Sequence, residues 1–251
     1  MRMTENTILI SGGTSGIGLA LARALNNRGN QVIITGRQQA LLDEIVDRHP
    51  GMAAMYLNLD DPHSLPRLAA DVRERFPDLN VVIANAGISR TEIMTLPDWD
   101  AADAEAVVQT NILGVVRLVA AFLPMLKART DATIMATSSA LAFLPRADFP
   151  TYCASKAFLH SWLISLRHQL RKIPIEVLEL SPPYVQTKLT GTFQATDPRA
   201  MALDSYIHEV MQMLESGTHP RGELLLDRDL ARRWAERDGT YNAIYSAMNP
   251  N

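Results

Sequence analysis

The fold is decided by the stretch Thr7-Ile8-Leu9-Ile10-Ser11-Gly12-Gly13-Thr14-Ser15-Gly16-Ile17-Gly18. Thr7–Ile10 is a short apolar, β-branched run, and it reads as a strand buried on both faces. A glycine-rich turn follows, and then a helical pattern begins. Gly12, Gly16 and Gly18 fall at G-x3-G-x-G spacing, one residue wider than the common nucleotide-binding fingerprint. One glycine serves a tight turn, a second lets backbone approach a pyrophosphate, and a third packs helix on strand. The helix N-terminus offers unpaired N–H groups to an anion. A purely structural turn can carry the same glycines, but the strand before and the helix after favour the nucleotide reading. No Gly-Lys-Ser/Thr follows, which excludes a P-loop.

Working outward, five more strand-like runs appear: Gln31–Thr35, Ala53–Leu57, Asn80–Ala84, Ala132–Thr137 and Ile175–Leu180. Helical spacing occupies roughly 16–28, 38–48, 62–76, 101–128 and 152–172. This alternation predicts an α/β Rossmann fold: one doubly wound parallel sheet of six to seven strands with helices on both faces. Strand order is not legible from periodicity. Residues 1–251 read as one domain. Residues 186–203 read as a surface loop or mobile lid, and 221–251 as an atypical, charged, partly helical end. Within that end, Glu223-Leu224-Leu225-Leu226 reads as either a seventh strand or the start of a helix. The helix over 105–126 is apolar around most of its circumference, so burial almost all round is expected. In 152–172, Leu159, Leu163, Leu166 and Leu170 form a stripe that Phe158 and Trp162 widen enough to cover a sheet and also a second subunit.

Composition narrows the function classes. The 251 residues are 47% hydrophobic and 20% charged, with net charge −3. Whole-chain disorder is excluded, and no basic surplus exists for nucleic acid. The six histidines form no His-x3-His pair and Cys153 is the lone cysteine, so no metal site or internal disulfide is expected. No run of eighteen uncharged apolar residues suggests a membrane span, and the opening residues lack signal-peptide features. A cytoplasmic location is expected.

Two further patterns carry chemistry. The second strand ends in Thr35-Gly36-Arg37, where an acid would bind the ribose 2′-hydroxyl of NAD(H). A cation there suits a 2′-phosphate instead, which favours NADP(H), with NAD(H) still possible. Tyr152 and Lys156 stand four residues apart on one helix face. An ammonium beside a phenol should lower its pKa from ~10 toward the working range. Ser138 and Ser139 close the strand Ala132–Thr137, and Asn85-Ala86-Gly87 closes Asn80–Ala84. Ligands bind at such carboxyl ends in parallel sheets. Asn111 interrupts an apolar helix, either as a site residue or as a satisfied core amide.

The glycine turn, Asn85-Ala86-Gly87, Asn111, Ser139 and Tyr152-Cys153-Ala154-Ser155-Lys156 occur in the order seen in the short-chain dehydrogenase/reductase family, which this sequence resembles over roughly 5–190. The opening at Asn6–Gly16 is similar to the subgroup of D-alanine-operon-type oxidoreductases. The resemblance implies a seven-stranded sheet, NAD(P) binding, and hydride transfer between cofactor and a carbonyl or alcohol. It implies Tyr152 as general acid in reduction and base in oxidation, with Lys156 lowering its pKa and holding a ribose. Ser139 would bind the substrate oxygen, and Asn111 would support a water relay. Gly12, Thr14, Ser15, Gly16, Ile17, Gly18 and Arg37 would hold phosphates and adenosine ribose. Asn58 and Leu59 would meet adenine, Asn85, Ala86 and Gly87 would flank the cofactor, and Pro182, Val185 and Thr187 would reach the nicotinamide. The sequence departs from the family at Pro183, where glycine is usual, and at its C-terminus.

Leu141, Phe149, Tyr184 and Phe193 are the expected apolar surroundings of the substrate, and Phe143 and Leu144 lie nearby. Arg90 and Arg146 could pair with a substrate carboxylate. The resemblance also implies a homodimer or homotetramer through the two long helices. The competing reading is a cofactor-binding sensor or scaffold without turnover, which would have no use for a proton donor. A methyltransferase shares the glycine turn but leaves Tyr152 and Lys156 unexplained.

Overall fold

The computed structural model describes residues 1–61 and 63–250. Pro62, where the third expected helix begins, and Asn251, the last residue of the C-terminal segment, lie outside the described residues. The chain runs β1 (Thr7–Ser11), α1 (Gly16–Asn26), β2 (Gln31–Gly36), α2 (Gln39–Arg48), β3 (Met52–Tyr56), α3 (Ser64–Arg75), β4 (Leu79–Ala84) and α4 (Ala102–Val107). One π-helical turn (Val108–Leu113) joins α4 to α5 (Gly114–Lys127), and β5 (Ala132–Thr137) and α6 (Pro150–Leu170) follow. The remainder is β6 (Ile175–Ser181), α7 (Leu203–Ser216), β7 (Glu223–Leu225), α8 (Leu230–Arg233) and α9 (Tyr241–Met248).

The seven strands form one parallel sheet in the order β3-β2-β1-β4-β5-β6-β7. Glu223–Leu225 is therefore the seventh strand, the first of the two readings left open by its composition. Strand order reverses between β1 and β4, which opens a crevice at their carboxyl ends. Alternate residues feed two cores. Ile8, Ile10, Val81, Met135 and Leu178 pack under α1, α2 and α7, while Leu9, Val82, Ile134 and Val177 pack under α3, α5 and α6.

The helix expected to be buried all round is buried on one face only. Val115, Leu118, Phe122 and Leu126 enter the core, whereas Val108 and Leu113 are exposed. Among the described residues, Ala102–Lys127 is the single helical stretch long and apolar enough to cross a membrane by length and composition, although Arg117 interrupts it. α7 was not expected. Its signal was present in Ile207, Val210, Met211 and Leu214, all buried, and in Gly217, which caps it at φ +64°.

Candidate active site

A cleft of about 1000 Å³ runs along the carboxyl ends of β1–β6. At one end lies the glycine turn, and its geometry leaves no room for side chains. Gly12 has φ +67°, and a Cβ there would stand 2.8 Å from the Ala86 Cα. A Cβ on Gly18 would stand 2.3 Å from the Gly12 carbonyl oxygen and 2.4 Å from Asn85 Nδ2. Gly18 therefore packs behind the turn and does not line the cleft. Ser15 precedes α1 without making a side-chain cap, so the first-turn N–H groups are available to an anion. The Ser11 hydroxyl accepts from the N–H groups of Asn85 and Ala86, both at 3.1 Å. Asn85 donates to Ser11 O and Gly12 O and accepts from Thr137 Oγ1 at 3.2 Å, joining the ends of β1, β4 and β5. Thr14, Ser15, Gly16, Ile17, Arg37, Asn58, Leu59, Ala86 and Gly87 all line the cleft. A glycine cradle, free helix-terminal donors and a cation at the end of β2 fit a dinucleotide.

At the other end, Ser139, Tyr152 and Lys156 line the same cleft. Lys156 is buried and donates to Thr137 O at 2.8 Å, and its Nζ stands 5.5 Å from the Tyr152 ring centroid. Asn111 occupies the π turn and does not line the cleft. It is fully buried, donating to Ile88 O at 2.9 Å and Ser155 Oγ at 3.1 Å while accepting from Ile88 N at 2.9 Å. The wide turn is the local cause of its inward reach, and π turns recur at functional sites. Gly87 stands between the Asn111 amide and the Lys156 amine: a Cβ there would be 3.3 Å from Asn111 Oδ1 and 3.5 Å from Lys156 Nζ.

The phenol differs from expectation. Burial pushes Tyr152 up to about 12, and the Ser139 hydroxyl bound to it only partly offsets this. Burial also brings Lys156 down to about 8. Both groups lose water, and desolvation outweighs the attraction expected between ammonium and phenolate.

The loop after β6 is held through one buried amide. Gln194 is buried; its Nε2 donates to Val185 O at 2.7 Å and Thr187 Oγ1 at 3.1 Å, and its Oε1 accepts from Thr190 N and Oγ1. Val185 pairs with Met201 in a short bridge, and Thr187 packs beside Gly16. Pro182 O accepts from Ala140 N at 2.9 Å, so Pro183 is accommodated beyond a fixed strand end. Pro182, Val185 and Thr187 line the cleft.

The apolar residues expected around the substrate do not line it. Leu141 sits in a short helical turn, and Phe149 lies under the Arg146 guanidinium. The Tyr184 hydroxyl donates to Asp197, and Phe193 is exposed on the pinned loop. Ile88, Pro183, Val185 and Leu189, with Lys188 and Gln194, line the cleft. Arg90 lines the cleft and pairs with Asp103 at 3.3 Å, whereas Arg146 is bound to Asp148 outside it. Gln194 and Asp60, which lies 3.6 Å from Arg37, were missed because neither stands in a recognisable motif.

Residues 6–198 match the family model for the short chain dehydrogenases. The chain is 36% identical to a Bacillus subtilis (strain 168) protein named uncharacterized oxidoreductase DltE, over 99% of this chain and 98% of that one. A short-chain dehydrogenase/reductase from Burkholderia phymatum, solved with NAD, superposes with a TM-score of 0.82 at 19% identity, over 100% of this chain and 98% of that one. One from Burkholderia cenocepacia, solved with NADP, gives 0.82 at 22% identity over 98% and 99%. With the family model covering most of its length, a near full-length relative and the same cleft-bearing sheet, the chain belongs to the short-chain dehydrogenase family and is an NAD(P)-dependent oxidoreductase.

Proposed function

We propose that the protein is an NADP(H)-dependent oxidoreductase acting on a small-molecule carbonyl or alcohol, with Tyr152 as general acid and base. The observation that carries this reading is the convergence of Ser139, Tyr152 and Lys156 on one cleft with the glycine cradle, with Asn111 buried directly behind. A bound nicotinamide supplies or takes the hydride. Ser139 holds the substrate oxygen, and Tyr152 gives it a proton in reduction or removes one in oxidation. A phenol held near 12 keeps its proton at neutral pH, which suits the acid role in reduction. Lys156, anchored on Thr137 O, keeps an ammonium beside the phenol. Asn111 and Lys156 flank Gly87, and in this reading Asn111 supports the proton relay through Lys156.

Arg37 is the residue that supports NADP(H): it lines the cleft at the end of β2, and the Cβ-free Gly36 before it gives room to Thr14. Val108 and Leu113 on one long helix and Phe158 on the other expose apolar surface, which supports a homodimer or homotetramer joined there. One domain spanning the chain and a cytoplasmic location complete the reading. Tyr152→Phe should lower kcat by about 10²–10⁴-fold while cofactor affinity stays near that of the parent. Retained full activity with a panel of carbonyls, followed by absorbance of reduced nicotinamide, would refute the assignment.

A further inference from the structure

Glu179 stands behind the reacting residues, and no step above uses it. It lies on β6, fully buried, on the sheet face covered by α6. Its Oε1 accepts from Ser138 Oγ at 2.5 Å and from Ser181 Oγ at 3.3 Å, and its Oε2 accepts from His160 Nδ1 at 2.8 Å. Ser138 directly precedes Ser139, and Ser181 directly precedes Pro182. His160 follows Lys156 by one helical turn and Tyr152 by about two. One carboxylate thus joins the end of β5, the end of β6 and the helix that carries the phenol.

The surroundings make these bonds costly to remove. Glu179 is in register with Glu223 on β7, so two carboxylates share one face of the sheet. Arg233 meets Glu223 through two hydrogen bonds of 3.0 Å, and Arg221 adds one of 3.3 Å. Arg167, bound to Val177 O at 2.9 Å, feels both carboxylates. His160 lies edge-on to Phe143 with ring centroids 5.0 Å apart, which holds the imidazole against the carboxylate. A buried carboxylate that loses a donor is left unpaired in a place without water.

We propose that Glu179 and His160 are positioning residues: they tie Ser138 to α6, and so fix the Ser139 hydroxyl relative to the Tyr152 phenol. The inference rests on the functional reading above. Backbone bonds from Ser138 N to Leu180 O and from Ala140 N to Pro182 O tie β5 to β6 alone. Lys156 ties α6 to Thr137 O, and the carboxylate adds a second tie to that helix, this one from Ser138.

The test compares Glu179→Gln, His160→Leu and His160→Asn, the last of which keeps a donor near the Nδ1 position. Glu179→Gln and His160→Leu should lower kcat by about 10- to 100-fold with the KM for cofactor unchanged, since a displacement near 1 Å suffices. His160→Asn should recover most of the loss. Amide hydrogen exchange over 138–142 should quicken in the first two and not in the third. If Glu179→Gln does not fold, Ser138→Ala removes a single hydroxyl and carries the same readouts. Unchanged exchange overturns the inference whatever the activity, and so does faster exchange with parental kcat. Equal losses in both His160 variants also overturn it. Exchange needs no turnover, so a parent chain inert toward every carbonyl would count against the functional reading separately.

Discussion

At the glycine end of the cleft, between β1 and α1, the binding surface is backbone; at the tyrosine end, between β5, β6 and α6, it is buried polar side chains. The first end works by what is missing. Gly12 and Gly18 have no Cβ because Ala86, the Gly12 carbonyl and Asn85 already fill that space. The second end works by what is enclosed: Ser138, Glu179 and His160 bond one another, Lys156 bonds Thr137 O, and Asn111 bonds Ser155 and the Ile88 backbone. Damage at the first end should therefore be steric and strike binding. Damage at the second should be electrostatic and strike turnover.

The sharpest way to break this contrast is Gly18→Ala. Its Cβ would overlap a backbone oxygen at 2.3 Å, and neither the carbonyl nor Asn85 can yield without opening the turn. Strain of about 3 kcal/mol or more is expected, which corresponds to cofactor Kd rising about 100-fold or more. Titration calorimetry with NADPH measures it. Near-parental affinity would mean that the turn does not hold the cofactor.

A smaller effect is expected from Arg37→Asp. Arg37 is well exposed and its contact with Asp60 is long, so the pair contributes little to stability. The substitution places a second carboxylate beside Asp60, which repels a 2′-phosphate and accepts from a 2′-hydroxyl. The ratio of kcat/KM for NADPH over NADH should fall about 10- to 100-fold, on the scale of one lost charged hydrogen bond, with no change in Tm. An unaltered ratio would remove Arg37 from the cofactor-selecting surface.

The same contrast explains what the sequence revealed. Glycine spacing is legible because steric demand leaves a mark on every chain that meets it, and β1, the turn and α1 were read almost to the residue. The apolar strands were legible for a similar reason: burial on both faces forbids alternation. Helix α7 escaped although Ile207, Val210, Met211 and Leu214 kept helical spacing, because the polar run before it had already been assigned to a lid. Gln194 holds that loop through Val185 O, Thr190 N and the hydroxyls of Thr187 and Thr190, partners nine residues or fewer away that leave no sequence pattern. The residues expected around the substrate do not line the cleft, and a loop aromatic's direction is not written in its sequence. Phe149 and Phe143 instead stack under arginines. On α6 the leucine stripe hid a second one, Lys156, His160 and Arg167, whose polar groups meet Thr137 O, Glu179 and Val177 O on the sheet. Its meaning depends on which strand lies beneath, and strand order was not available from periodicity.

The mildest test of the buried end uses pH alone. An ordinary lysine holds its proton up to about 10.5, but burial lets Lys156 release it near 8. Between those values the unfolded chain binds the extra proton, so raising pH should favour the fold. Opposing groups enter later. Burial raises Cys153 from about 9 and Tyr152 and Tyr206 from about 10, so above those values the folded chain holds protons that the unfolded chain has lost, and stability falls. Cys153 begins to oppose the lysine near pH 9, and comparison with Lys156→Met between pH 8 and 9 isolates the lysine's share. Stability should rise there by about 1 kcal/mol, or about 2–4 °C in Tm, and Lys156→Met should lose that rise. If the parent and Lys156→Met follow the same Tm profile across this window, the ammonium is hydrated in solution, and the tyrosine end is no drier than the glycine end.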